Sequence, residues 1–150
     1  MTTTTTTNDE TAVLDVLREH QAALRAGDAE RAIAVFGEDA ARYDLAPPLR
    51  RPNLPVEEAA AGLRAWLATF DGPVTLAFRD PAVLVDGDLA VVHGLTSLTG
   101  TPAGAEPFTL WFRSTYALRR TGATWAIVHQ HESVPFHMDG SFRAAIDLAP

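Results

Sequence analysis

FTLWFRSTYALRRTGATWAIVHQHESVPF, residues 108–136, is the stretch whose reading decides the fold. β-Branched and aromatic residues alternate on both sides of a glycine-containing break, which predicts two long strands joined by a tight turn at Thr121-Gly122. The same stretch holds the densest set of polar groups able to face an interior: Trp111, Arg113, Thr115, His129, Gln130, His131, Glu132 and Ser133. Strand side chains alternate faces, so only half of these can share one cavity. With a two-residue turn, Arg120 pairs with Ala123, and Trp111, Arg113 and Thr115 stand opposite Glu132, Gln130 and Val128. The other face then carries Phe112, Ser114, Tyr116, Trp125, Ile127, His129 and His131. A turn one residue longer breaks this pairing and brings the two histidines beside Arg113 instead. The first register is the one we expect.

Residues 74–85 and 88–98 read as two further strands, separated by Asp86-Gly87 and followed by a glycine-bounded turn at 100–104. Before them the period is helical. Residues 10–26 carry Val13, Leu14, Leu17, Ala22 and Leu24 at amphipathic spacing, and Gly27 can end that helix. Asp28 can cap a short helix over 29–36 that buries Ile33, Val35 and Phe36. Residues 40–45 (AARYDL) read as a short strand stopped by Pro47-Pro48. Pro55, followed by early carboxylates, opens a third helix that buries Leu63, Trp66, Leu67 and Phe70 and stops at Asp71-Gly72-Pro73. Helices followed by an antiparallel meander predict an α+β domain in which a curved sheet wraps a helical layer. Residues 1–8, rich in threonine, are expected as a disordered tail and 9–150 as one domain. The C-terminal segment 135–150 holds Phe136, Met138, Phe142, Ile146 and Leu148, too apolar to be free, and is expected to pack on this subunit or a neighbour.

Composition narrows the function classes. A chain of 150 residues, 47% hydrophobic, can form a core and one pocket. No apolar run approaches the roughly 18 residues of a membrane span, and MTTTTTTNDE lacks the basic-then-apolar pattern of a signal segment. The absence of cysteine removes disulfides and thiolate metal sites and fits a cytoplasmic location. A net charge of -7 argues against a nucleic-acid partner, which needs a basic stripe.

The order helix, AALRAGD, short helix ending VFGEDA, strand ending YD, third helix, then strands finishing WAIVHQHESVPF resembles the nuclear transport factor two-like superfamily, over nearly all of residues 9–136. Within it the SnoaL-like and ketosteroid-isomerase-like branch is most similar. The resemblance implies a cone-shaped fold, a cystatin-like roll that hosts isomerases, cyclases, hydratases and non-catalytic hubs. An ungapped alignment of AALRAGD and FGEDA with the ketosteroid isomerases puts Asp44 on that family's catalytic base. It puts His20 where those enzymes carry an oxyanion-hole tyrosine, and Thr115 where they carry a protonated aspartic acid.

A carboxylate at the mouth of an apolar cone is a sensible base, because desolvation raises its pKa towards working pH. Asp44 can equally cap the turn that follows it or pair with a nearby arginine. Neutral His20 and the Thr115 hydroxyl can each donate one hydrogen bond to an enolate oxygen. Arg113 and Glu132, diagonal neighbours in the expected register, form a charged pair that either binds a substrate oxyanion or simply closes the cone. Trp111 and Gln130 would shape the site, Trp111 by stacking on a flat substrate. His129 and His131 have a spacing compatible with a metal, together with His93, but the expected register turns them away from the pocket, so no metal or other cofactor is expected.

The expected function is therefore an isomerase, lyase or cyclase acting on a small hydrophobic carbonyl compound. Asp44, Arg113 and Glu132 would be catalytic, and His20, Trp111, Thr115 and Gln130 substrate-binding. The alternative is a non-catalytic ligand-binding or oligomerisation module. Phe112, Tyr116, Trp125 and Ile127, if on the outer face of the sheet, predict a homodimer under either reading.

Overall fold

The structure is a computed structural model that describes residues 3–150, with side chains from Asn8 onward. Helix α1 runs Thr3–Ala26 and buries Val13, Leu17, His20 and Leu24 along one stripe. Residues 1 and 2 of the expected tail lie outside the described residues, and from Thr3 the backbone is helical. Gly27, at a φ of 72°, ends α1, and the Asp28 carboxylate accepts from Arg31 N–H to cap α2, Ala29–Ile33. This second helix is shorter than the sequence suggests: Phe36 opens strand β1, Phe36–Tyr43. Helix α3 spans Val56–Leu67. Strands β2, Thr75–Asp86, β3, Leu89–Gly100, β4, Phe108–Thr121, and β5, Thr124–Ser133, form the expected antiparallel meander. β1 joins its edge in parallel with β5, giving the order β1-β5-β4-β3-β2 in one curved, unclosed sheet.

The β4–β5 register differs from the expected one at two points. The tight turn falls one residue later, on Gly122-Ala123, so that Thr121 pairs with Thr124. Between Ile127 and His129 the ladder then slips: Leu118 pairs with Ile127 and Ala117 with His129, leaving Val128 as a bulge. An extra residue reverses the alternation beyond it. Phe112, Ser114, Tyr116 and Leu118 therefore face inward with Trp125, Ile127, Gln130 and Glu132. Trp111, Arg113 and Thr115 share the outer face with His129 and His131, the company that the alternative register gave the histidines.

The core follows from this. Val13 and Leu17 of α1 pack on Val92, Tyr116, Leu118 and Ile127, all of them buried. Phe112, Tyr116, Trp125 and Ile127 thus lie inside, and the ground they offered for a dimer through the sheet's outer face is removed. Exposed apolar side chains lie instead in the C-terminal segment. Phe136 bridges Ala144 and packs on the Phe142 ring, and Ala145 is buried, yet Met138 and Phe142 are 85% and 73% exposed. Among the described residues no helix is long and apolar enough to cross a membrane.

One glycine is required by a close approach at the wide end of the sheet. A Cβ at Gly100 would lie 2.9 Å from Phe70 Cδ1, well inside van der Waals contact. Gly100→Ala should lower unfolding free energy by about 1–3 kcal/mol in urea titration. Gly62→Ala, in α3 with open space around it, should raise stability by about 0.5–1 kcal/mol.

Candidate functional site

Where the sheet curves away from α1, it leaves a cavity of about 640 Å³ closed on its far side by α3. Leu63, Trp66, Phe70, Leu76, Leu98 and Leu110 supply apolar wall, and Trp66 meets Phe70 edge-on with ring centroids 5.0 Å apart. The polar side chains converge at one end: His20, Arg42, Asp44, Arg51, Gln130 and Glu132. Apolar walls with a few convergent polar groups are the usual make-up of a ligand site.

Strand alternation in β1 directs Arg42 into the cavity and Tyr43 outward, where its ring stacks on His131 at 5.9 Å, and Asp44, the first residue past the strand, also lines the cavity. The chain then turns back at Pro47-Pro48, and Arg51 N–H donates to Arg42 O at 2.9 Å. This return lets Arg51 Nε donate to Asp44 Oδ2 at 2.6 Å, while the Arg42 guanidinium approaches the same oxygen at 3.7 Å. The other oxygen, Asp44 Oδ1, is buried and has no hydrogen-bond partner among the described residues. A charged carboxylate is thus anchored through one oxygen and left with a free lone pair on the other.

Arg42 also orders the next residues. Its Nε donates to Gln130 Oε1 at 3.3 Å, and its guanidinium lies 4.4 Å over the Phe36 ring. Arginine has no acceptor, so the Gln130 oxygen must face it and the Gln130 amide N–H must point the other way. That N–H donates to Glu132 Oε1 at 2.8 Å, and Tyr116 O–H donates to the same oxygen at 3.2 Å. Burial pushes the Glu132 carboxyl above the usual range, with the nearby Asp44 charge adding to the effect. Burial likewise raises the Tyr116 phenol, helped by Glu132.

His20 enters from α1. Its Nδ1 lies 2.8 Å from Ala32 O, and a carbonyl only accepts, so Nδ1 carries the proton. Burial lowers the ring's pKa to about 4, so it is neutral at pH 7, with an unprotonated Nε2. His20 is therefore an acceptor. The donor role expected from the sequence is not available to the neutral ring.

The profile of the SnoaL-like domain matches residues 13–137, most of the chain. The chain belongs to the SnoaL-like family. No curated protein matches it. Among solved structures, an NTF2-like protein of unknown function from Pseudomonas putida KT2440 is 26% identical, with a TM-score of 0.81 over 96% of this chain and 98% of that one. A Novosphingobium aromaticivorans protein provisionally named a scytalone dehydratase has a TM-score of 0.76 at 16% identity, covering 97% and 98% of the two chains. An NTF2-like protein of Streptomyces avermitilis, provisionally named a dehydratase, has a TM-score of 0.71 at 16% identity over 87% and 99%. The last two likenesses show the fold alone.

Of the residues singled out in sequence, the SnoaL-like cavity gathers Asp44, His20, Gln130 and Glu132. Arg113 and Thr115 are exposed on the outer face with Trp111 beside them, Arg113 pairing with Ser133 and Leu95 rather than approaching Glu132. The β5 bulge is the reason. The cationic role assigned to Arg113 falls to Arg42 and Arg51, which sequence reasoning missed. Arg42 was findable, because it stands two residues before Asp44 and so shares its strand face. His129 and His131 lie against Tyr43 outside the cavity, and no cluster of three or more metal-ligating side chains occurs among the described residues.

Burial of His20 has a pH signature. Its folded pKa of about 4 lies below the unfolded 6.5, so the unfolded chain takes up the proton first. The stability that neutral His20 contributes is fully present above pH 6.5 and is lost as pH falls towards 4, by up to about 3 kcal/mol. Urea unfolding of wild type and His20→Gln between pH 7 and pH 4 measures this. The wild type should lose more stability than the variant across that window.

Proposed function

We propose that this domain is an acid–base enzyme, of isomerase or lyase type, that moves a proton next to the carbonyl of a small hydrophobic compound. The observation that carries the reading is Asp44: one oxygen held by Arg51, the other buried, unpartnered and beside an apolar cavity. Asp44 Oδ1 takes the proton from carbon as general base. Glu132 accepts two hydrogen bonds on Oε1. Burial raises its pKa, and a proton on it belongs on Oε2, from which it can be donated to the carbonyl oxygen as negative charge develops there. His20 Nε2 accepts from a substrate hydroxyl. Isomerisation returns the proton from Asp44 to a different carbon, whereas elimination passes it to the β-hydroxyl, which leaves as water as the C–O bond breaks and the C=C bond forms. The dehydratase names carried by two structural relatives favour elimination.

A non-catalytic binding module is the second reading, and the Asp44–Arg51 ion pair favours it, since such a clamp can also be purely structural. Exchange of α-protons of 1-tetralone and related aryl ketones for deuterium, followed by proton NMR in D₂O, separates the two. Wild type should accelerate exchange, and Asp44→Asn should reduce that acceleration about 10²–10⁴-fold with an unchanged melting profile. His20→Gln should retain most of it. No acceleration from wild type on any ketone leaves the binding-module reading in possession, and acceleration that persists undiminished in Asp44→Asn removes Asp44 as the base.

A further inference from the structure

The loop between β1 and α3 carries to the cavity a cation, Arg51, whose terminal nitrogens the proton transfer above does not use. Among the described residues its one backbone hydrogen bond to a strand is Arg51 N–H to Arg42 O. Leu49 and Leu54 on the same loop are 98% and 48% exposed, so burial contributes little to holding it. The Arg51 side chain lines the cavity, is 42% exposed, and spends Nε on Asp44 Oδ2. Neither of its terminal nitrogens has a side-chain or backbone partner among the described residues. A guanidinium is planar, and with Nε committed its far edge offers two parallel N–H groups, a fork that fits both oxygens of a carboxylate.

Charge points the same way. Arg42 and Arg51 are always protonated and face Asp44 and Glu132 at this end of the cavity. Burial pushes the Glu132 carboxyl upward, towards its neutral form, which weakens its claim on these cations. On a chain with a net charge of -7, two arginines lining one end of the cavity are a local concentration of positive charge. An incoming carboxylate fills the free edge of Arg51.

We propose that Arg51 is the receptor for a carboxylate on the substrate, so that the site takes hydrophobic keto or hydroxy acids in preference to neutral carbonyl compounds. This deepens the function proposed above and rests on it for the site. The carboxylate lies at the cavity mouth, where the loop delivers Arg51, and the apolar body extends towards Trp66 and Phe70. Arg51 here is a specificity-determining residue. Asp44 and the ligand use different edges of one guanidinium, so the Asp44 carboxylate opposes the incoming anion through charge while keeping its own hydrogen bond to Nε.

Calorimetric titration with 2-naphthoate and its neutral counterpart 2-naphthamide tests the assignment without requiring turnover. Wild type should bind the carboxylate at least about tenfold more tightly, the factor expected of one charge-assisted hydrogen-bonded contact. Arg51→Gln should abolish that preference while naphthamide still binds, and Arg51→Lys should keep part of it. Asp44→Asn should tighten naphthoate binding even though it stops proton exchange. Equal affinities for the two probes, binding of neither, or a preference that survives in Arg51→Gln overturns the proposal. Loss of ketone exchange with the naphthoate preference intact would instead sink the acid–base reading and leave the role of Arg51 standing.

Discussion

A single unpaired residue, Val128, governs which side chains of the last strand reach the cavity. Up to Ile127, β5 pairs with β4 so that Trp125 and Ile127 fill the core under α1. Without the bulge the same alternation would carry His129 and His131 inward and turn Gln130 and Glu132 to solvent. The bulge is stabilised from the other side of the strand: Ile127 N–H donates to Val35 O at 2.9 Å, and the β1–β5 ladder resumes only at Ala41 and His129. Both edges of β5 are therefore irregular at the same place. Core packing of Trp125 and Ile127 and placement of Gln130 and Glu132 can both be met because the strand gains one residue between them.

The polar end of the cavity is built as a directional chain. Arg42 can only donate, which fixes the Gln130 amide and aims its N–H at Glu132. Tyr116, buried beneath the sheet, donates to the same carboxyl oxygen. Desolvating these groups is costly, and the cost is offset because nearly every buried donor and acceptor finds a partner. The exception is Asp44 Oδ1. A buried carboxylate oxygen without a partner is uncommon enough in folded proteins that its position beside an apolar cavity has functional weight. The three acid–base groups are differentiated by surroundings: arginines hold Asp44, burial favours protonated Glu132, and burial keeps His20 neutral. One site thus holds three titratable groups in three different surroundings.

The family supplies the scaffold and leaves the chemistry to such details. Solved structures only 16% identical keep the fold, so the site, and not the sheet, carries functional information. In this chain those details include two arginines on one carboxylate and a glutamate near the end of β5. Neither belongs to the alignment that placed Asp44 on the catalytic base of the ketosteroid isomerases.

The sequence by itself determined the element types and their order, because a period of 3.6 or 2 and the glycine and proline breaks are local properties of the chain. It also put Val13, Leu17 and Leu24 at the amphipathic spacing of one helix. Where local signals conflict it was less sure, as at Phe36, an apolar residue that suits the end of a short helix and the start of a strand equally well. Only the tertiary structure decided the register of β5, because the bulge arises from packing against α1 and pairing with β1, contacts remote in sequence. It alone brought Arg51 back to Asp44 through the proline turn. It alone shifted the proton affinities of His20 and Glu132, since desolvation depends on what the completed fold lays over them.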